Sequence, residues 1–305
     1  MKHPEQRGTT ASTGYDASTP LARDLVDLAK RRQILAETVL PLPSRTRIFT
    51  ISNQKGGVGK TTTVVNLAAA LARFGSRVLV IDLDPQGNAS TALGVEHREG
   101  TPSVYDVIVG DEDLGEVIAE CPEIEGLFCV PATIDLAGAE IELVSMVARE
   151  QRLSRALRLY LDDVHSNIDY VLIDCPPSLG LLTINAFVAA TEVLIPIQCE
   201  YYALEGLSQL LKSIQMIKKH LNPVLSVSTI LLTMFDSRTN LAHQVAAEVR
   251  EHFPEKVLEA VIPRSVRISE APSYGQTVIT YDLHSSGSLS YMEAAAEIAQ
   301  RGAPR

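Results

Sequence analysis

The chain has 305 residues, 46% hydrophobic, 21% charged and 5% aromatic, a composition that excludes wholesale disorder and suits one large or two small globular domains. Its longest apolar stretches, such as residues 186–197, are interrupted at Thr191 and Glu192 and fall short of the ~20 residues a membrane-spanning helix needs. The formal charge of −10 is uneven: residues 96–199 hold 19 acidic against 5 basic groups and residues 200–305 hold 11 against 10, so an acidic protein can still carry a basic patch.

Residues 1–46 read as an N-terminal extension, partly flexible and rich in Thr, Ser, Gly and Pro. No apolar core precedes a small-residue cleavage site, so no secretory signal is expected and the protein should stay in the cytoplasm. One short helix is predicted on Leu21, Leu25, Leu28 and Leu35, stopped by Pro41 and Pro43. From residue 47 onward short β-branched runs alternate with helical segments: 48–52, 78–82, 127–131, 170–174, 193–197, 228–233 and 257–262. Runs this uniformly apolar are buried on both faces. The predicted fold class is therefore α/β, a mostly parallel twisted sheet with helices on both faces and ligands at the carboxyl ends of the strands. Cys121, Cys129, Cys175 and Cys199 form no C-x-x-C pair and read as reduced, buried small hydrophobes. No two of the seven histidines have metal-ligand spacing with acidic neighbours.

The segment with chemistry follows the first strand and opens a helix: Lys55, Gly56, Gly57, Val58, Gly59, Lys60, Thr61 and Thr62. The generic G-x-x-x-x-G-K-[ST] pattern would need Gly at position 54, where this chain has Gln54. Glycines nevertheless let backbone N–H groups turn inward as an anion nest, and the helix N-terminus adds partial positive charge. Lys60 is placed to meet the β- and γ-phosphates and Thr61 to offer a hydroxyl to Mg²⁺. Two aspartates end later strands. Asp84, in the run Asp82-Leu83-Asp84-Pro85-Gln86-Gly87-Asn88, is the catalytic candidate, because phosphoryl transfer to water asks for a carboxylate that orients the nucleophile. Asp174 ends the apolar run Tyr170–Ile173, as a residue that binds Mg²⁺ through water would.

The string Lys55–Thr62 is the deviant Walker A motif and resembles the ParA/MinD branch of P-loop ATPases. Further runs, PATIDLAGAEIE at 131–142, SLGLLTIN at 178–185, QCEYYALEG at 198–206 and PRSVRISEAP at 263–272, resemble the chromosomal ParA (Soj-type) family over roughly residues 47–300, within a domain drawn at 47–305. The resemblance implies that Lys55 reaches phosphates bound by a partner subunit, so that ATP closes a sandwich homodimer. It further implies that the dimer binds double-stranded DNA without sequence preference and that a ParB-type activator stimulates slow hydrolysis to ADP and phosphate. The outcome would be segregation of chromosome origins by a nucleoid-associated protein. By the same resemblance the adenine lies near Met234 and Pro263, and Arg238 and Arg267 contact DNA. Lys212, Lys218 and Lys219, at helical spacing, are candidates to extend that patch.

The chain departs from neighbouring branches in three places. Residues 1–46 are too short for the helix-turn-helix module of some plasmid ParA proteins. The C-terminal segment 291–305 carries alanines and glutamates where a MinD-like membrane foot needs large apolar anchors and cations. Cys129 and Cys175 lack the context of the cluster ligands in nitrogenase-reductase-like proteins. A metabolic P-loop enzyme that uses ATP to activate a small molecule is the alternative; it would need an acceptor pocket, and no residue set for one stands out.

Overall fold

Eight strands build one sheet in the order β3-β4-β2-β5-β1-β6-β7-β8 in this computed structural model, which describes residues 20–163, 166–201 and 203–302. The strands are β1 Arg47–Ile51, β2 Val78–Asp82, β3 Ala119–Glu120, β4 Leu127–Val130, β5 Tyr170–Asp174, β6 Glu192–Gln198, β7 Ser226–Phe235 and β8 Val257–Pro263. All pairings are parallel except β3 with β4. The seven runs read from the sequence are all strands. The eighth, β3, is a two-residue antiparallel edge, too short to leave a periodic signal. The readings of residues 1–19, and of His3 and His165, fall outside the described residues.

Two compact units are present, divided between Glu37 and Thr38. In the first, helix α1 (Pro20–Glu37) is 18 residues long, longer than the short helix expected; Leu25 is exposed and Leu28 half-buried. The second starts ahead of the boundary at 46/47 drawn from composition, because Leu40 is already buried and the Thr46 hydroxyl donates to the Ile168 carbonyl at 2.7 Å.

Apolar alternation explains how the second unit covers its sheet. Leu79, Ile81, Val171 and Ile173 pack with the helices 136–143, 152–161 and 181–189, while Val193, Ile195, Ile230 and Leu232 pack with helices 203–220 and 240–252. Helix α2 (Lys60–Arg73) packs on β1, β2 and β5 and against the C-terminal helix Ser286–Arg301. Eleven of the 14 residues of α2 are buried, including the run Val64–Ala72. Small alanines let it sit close to the strands.

Register then decides what meets at the carboxyl edge. β1 lies between β5 and β6, Ile51 stands opposite Asp174, and Asp82 stands opposite the same Asp174. The glycine loop after β1 thus opens beside two neighbouring carboxylates, where parallel α/β sheets hold ligands. All four cysteines are unpaired and buried, as read.

Candidate functional site

The loop from Ser52 to Gly59 turns β1 into α2. Gly57 at φ +74° and Gly59 at φ +88° occupy the left-handed region, which a side chain would strain. The loop is pinned from below: Val58 is buried, and its carbonyl accepts from the Thr233 hydroxyl at 2.8 Å. Above it, a Cβ added at Gly56 or Gly57 would meet nothing within 4 Å, so the backbone face of the loop is open.

Lys60 is 9% exposed, and its ammonium donates to the Lys55 carbonyl at 3.5 Å. Burial lowers its pKa, while Asp174, Cys175 and Asp84 oppose that shift. The three residues read as phosphate lysine, metal carboxylate and catalytic carboxylate therefore share one electrostatic site.

Asp174 is wholly buried, and neither carboxylate oxygen has a hydrogen-bond partner among the described residues. Burial first, and the Asp82 charge second, push its pKa well above the ordinary carboxylate range; Thr61 and Lys60 pull the other way. A buried, unsatisfied carboxylate facing a hydroxyl is costly in isolation and becomes favourable beside a cation. The donor set, oxygen from Thr61 and from Asp174, suits a hard, hydrated divalent ion. Magnesium fits here.

Asp82 has the opposite character. Its carboxylate accepts from Ser90 N–H at 2.9 Å, Ser90 Oγ at 2.7 Å and Asp84 N–H at 3.2 Å, yet burial still pushes its pKa up to about 6. It organises the loop that follows. Asp84, half-buried, caps a turn in which Gln86 N–H donates to its Oδ1 at 3.0 Å and Gly87 N–H to its carbonyl at 2.9 Å. The other carboxylate oxygen takes no part in these bonds, and the Asp84 charge raises the pKa of Lys60 against the lowering by burial.

Lys55 does not point at its own loop. Its ammonium lies 2.9 Å from Glu200 Oε2, just past the end of β6; Gln198 also donates to Glu200, and the Arg264 guanidinium stands 3.9 Å from it. Met234 adopts φ +50° near the end of β7, an uncommon conformation for a residue with a side chain. Its methyl would lie 3.9 Å from a Cβ on Gly59. Pro263 ends β8, where Phe235 pairs with it, so Met234 and Pro263 share the edge that bears the glycine loop.

The two arginines read as DNA contacts are exposed, and both carry carboxylate partners. Arg238 forks onto Asp236 with two 2.8 Å bonds. Arg267 lies 3.4 Å from Glu270 and 3.5 Å from Asp282. Lys212, Lys218 and Lys219 are exposed on the helix Ala203–His220. Sequence reasoning missed Glu200, the Ser90 support of Asp82, and His97, whose ring lies over the Asp84 turn. Glu200 had a signal: it follows a strand beside β1 and so falls at the ligand edge. His97 had none.

Among the described residues no group of three or more His, Cys, Asp or Glu side chains has metal-binding geometry, and no helix is long and apolar enough to cross a membrane.

A family profile described as an AAA domain matches residues 46–227. The chain is 55% identical over 256 residues to the sporulation initiation inhibitor protein Soj of Bacillus subtilis, covering 84% of this chain and 99% of that protein. It is 52% identical to the chromosome partitioning protein ParA of Myxococcus xanthus, covering 85% and 90%. Among solved structures, a Mycobacterium smegmatis protein described as cobyrinic acid a,c-diamide synthase, with bound ATP analog and magnesium, superposes at TM-score 0.66 with 41% identity over 77% of this chain and 91% of that one. The cell division ATPase MinD of Pyrococcus furiosus superposes at 0.69 with 26% identity over 84% and 99%. With such identity over nearly the whole length of its relatives, and a parallel sheet that gathers a deviant phosphate loop and two strand-end aspartates at one edge, the chain belongs to the Soj/ParA family of chromosome-partitioning ATPases.

Proposed function

We propose that this protein is an ATP-dependent chromosome-partitioning ATPase whose ATP-bound sandwich dimer binds double-stranded DNA without sequence preference and whose hydrolysis, stimulated by a ParB-type activator, releases it. The observation that carries the reading is Lys60, buried at the base of an open glycine loop and facing the unpartnered carboxylate of Asp174.

ATP is the substrate. Backbone N–H groups of Gly56, Gly57, Val58 and Gly59, with Lys60, Thr61 and Thr62, cradle its phosphates at the N-terminus of α2. Thr61 and, through water, Asp174 hold magnesium, which when bound neutralises charge on the β- and γ-phosphates. Asp84 orients the attacking water. Met234 and Pro263 flank the adenine. Lys55 leaves Glu200 for the phosphates of the facing subunit, and this exchange makes dimer formation depend on the triphosphate. Arg238 and Arg267, doubled by the two-fold axis, contact DNA phosphates and place the protein on the nucleoid. Residues 1–46 are an N-terminal extension to the ATPase domain, 47–305, and the last part of that extension, 38–46, belongs to the same compact unit as the domain.

The 41% identity to a structure described as a biosynthetic synthase favours one rival, a metabolic enzyme that uses ATP to activate a small molecule. Retention of the purified protein on non-specific double-stranded DNA at low salt, with ATP, with ADP and without nucleotide, separates them. Retention with ATP alone is expected, falling steeply with salt. Equal behaviour in all three states would remove the partitioning reading.

A further inference from the structure

The loop that carries Asp84 is held from two sides. On the inner side Ser90 bonds Asp82, and its Oγ accepts from the Ala132 N–H at 3.2 Å. On the outer side stands His97. Gly87, at φ +62°, has its Cα so close to the imidazole that a Cβ there would fall 2.8 Å from Nδ1 and 3.1 Å from the Ala132 carbonyl. The turn is clamped between a ring and a backbone oxygen.

The hydrogen bonds define direction. Thr91 Oγ1 donates its single proton to the Gly87 carbonyl at 3.0 Å, and the same oxygen lies 2.9 Å from His97 Nε2. With its proton already used, the hydroxyl accepts, so Nε2 carries the hydrogen and donates. The chain of contacts runs from His97 to Thr91, from Thr91 to the Gly87 carbonyl, and from the Gly87 N–H to the Asp84 carbonyl. Every link lies within residues 84–97, and its far end is the backbone carbonyl of Asp84, whose carboxylate accepts from the Gln86 N–H in the same turn.

We propose that His97 is a positioning residue for ATP hydrolysis: it clasps the Gly87 turn and so fixes Asp84 where water must be oriented, without touching nucleotide. The inference rests on the reading of Asp84 as the catalytic carboxylate. Loss of the clasp leaves the phosphate loop untouched, because the strand end Asp82 and the inner anchor Ser90 stay in place. Hydrolysis suffers and ATP binding does not, since a turn that samples misaligned positions lowers the fraction of productive geometry.

The test is single-turnover ATP hydrolysis by the full chain, with ATP affinity measured separately. His97→Ala is expected to lower the hydrolysis rate about fivefold or more while ATP affinity changes by less than about twofold. His97→Gln, which restores an N–H donor near the position of Nε2, should recover at least half of the loss. A His97→Ala protein that hydrolyses ATP at the wild-type rate overturns the proposal. So does a parallel loss of hydrolysis and ATP affinity that His97→Gln does not rescue, because that marks general loosening. Asp84→Ala, run alongside, separates the two levels: if it turns over normally, the reading of Asp84 falls and takes this one with it. An inactive Asp84→Ala beside a fully active His97→Ala refutes the clasp alone.

Discussion

The Lys55 ammonium lies 2.9 Å from the Glu200 carboxylate of its own chain, so the signature lysine of the loop is engaged in cis. Both side chains are about half exposed, at 52% and 44%, and pairs of this kind contribute ~1 kcal/mol or less. That is weak enough for a facing triphosphate to displace. Glu200→Gln should therefore shift ATP-dependent dimerisation to lower ATP concentration by about two- to fivefold, read by sedimentation or light scattering. An unchanged midpoint would mean that Glu200 does not compete for Lys55.

Gly56 offers a second handle on the dimer. A Cβ there meets nothing within 4 Å, and its φ is not in the left-handed region, so the isolated chain tolerates a side chain. Gly56→Val should bind ATP with affinity near wild type and remain monomeric, because crowding would arise only from a facing subunit. A Gly56→Val protein that still dimerises would exclude close apposition of the two loops.

Asp82 and Asp174 make the nucleotide-free protein sensitive to pH. Burial pushes Asp82 up to about 6 and Asp174 well above the ordinary range, whereas an unfolded aspartate titrates near 4. At pH below about 4 both states hold the protons; as pH rises, the unfolded chain releases them first and gains stability relative to the folded one. Folded stability should thus fall from about pH 4 through 6 and beyond. Asp174→Asn should raise the nucleotide-free Tm at pH 7.5 by about 2–4 °C and flatten its decline between pH 5 and 7.5. Calorimetry that shows the same decline in both proteins would assign the pH dependence elsewhere.

Asp236 holds Arg238 in a bidentate pair, and the guanidinium keeps that carboxylate well below the usual carboxylate range, so the pair stays charged at any working pH. DNA phosphates must compete with it. Asp236→Asn should raise retention on DNA and the salt concentration needed for release, while Arg238→Glu should lower both. If Asp236→Asn gains retention even in the Arg238→Glu background, the gain does not pass through Arg238.

Local chemistry in the sequence determined most of the fold and the core of the site. Seven apolar runs announced seven strands, and Lys55 to Thr62 announced a glycine loop that opens a helix, since backbone conformation there depends on the residues themselves. Asp174 was legible as a carboxylate at the ligand edge because it ends an apolar run, whereas β2 ends at Asp82 and Asp84 lies two residues beyond it, in the turn that follows. The tertiary structure alone decided the contacts between distant segments. β5 inserts between β1 and β2 and brings Asp174 beside Asp82, raising both pKa values through shared burial that no spacing encodes. Glu200, 145 residues from Lys55, meets it because β6 flanks β1. His97 reaches Gly87 because a left-handed glycine leaves room for an imidazole. Such pairings follow from strand order and packing, which emerge from the whole chain's burial of apolar surface and not from any single segment.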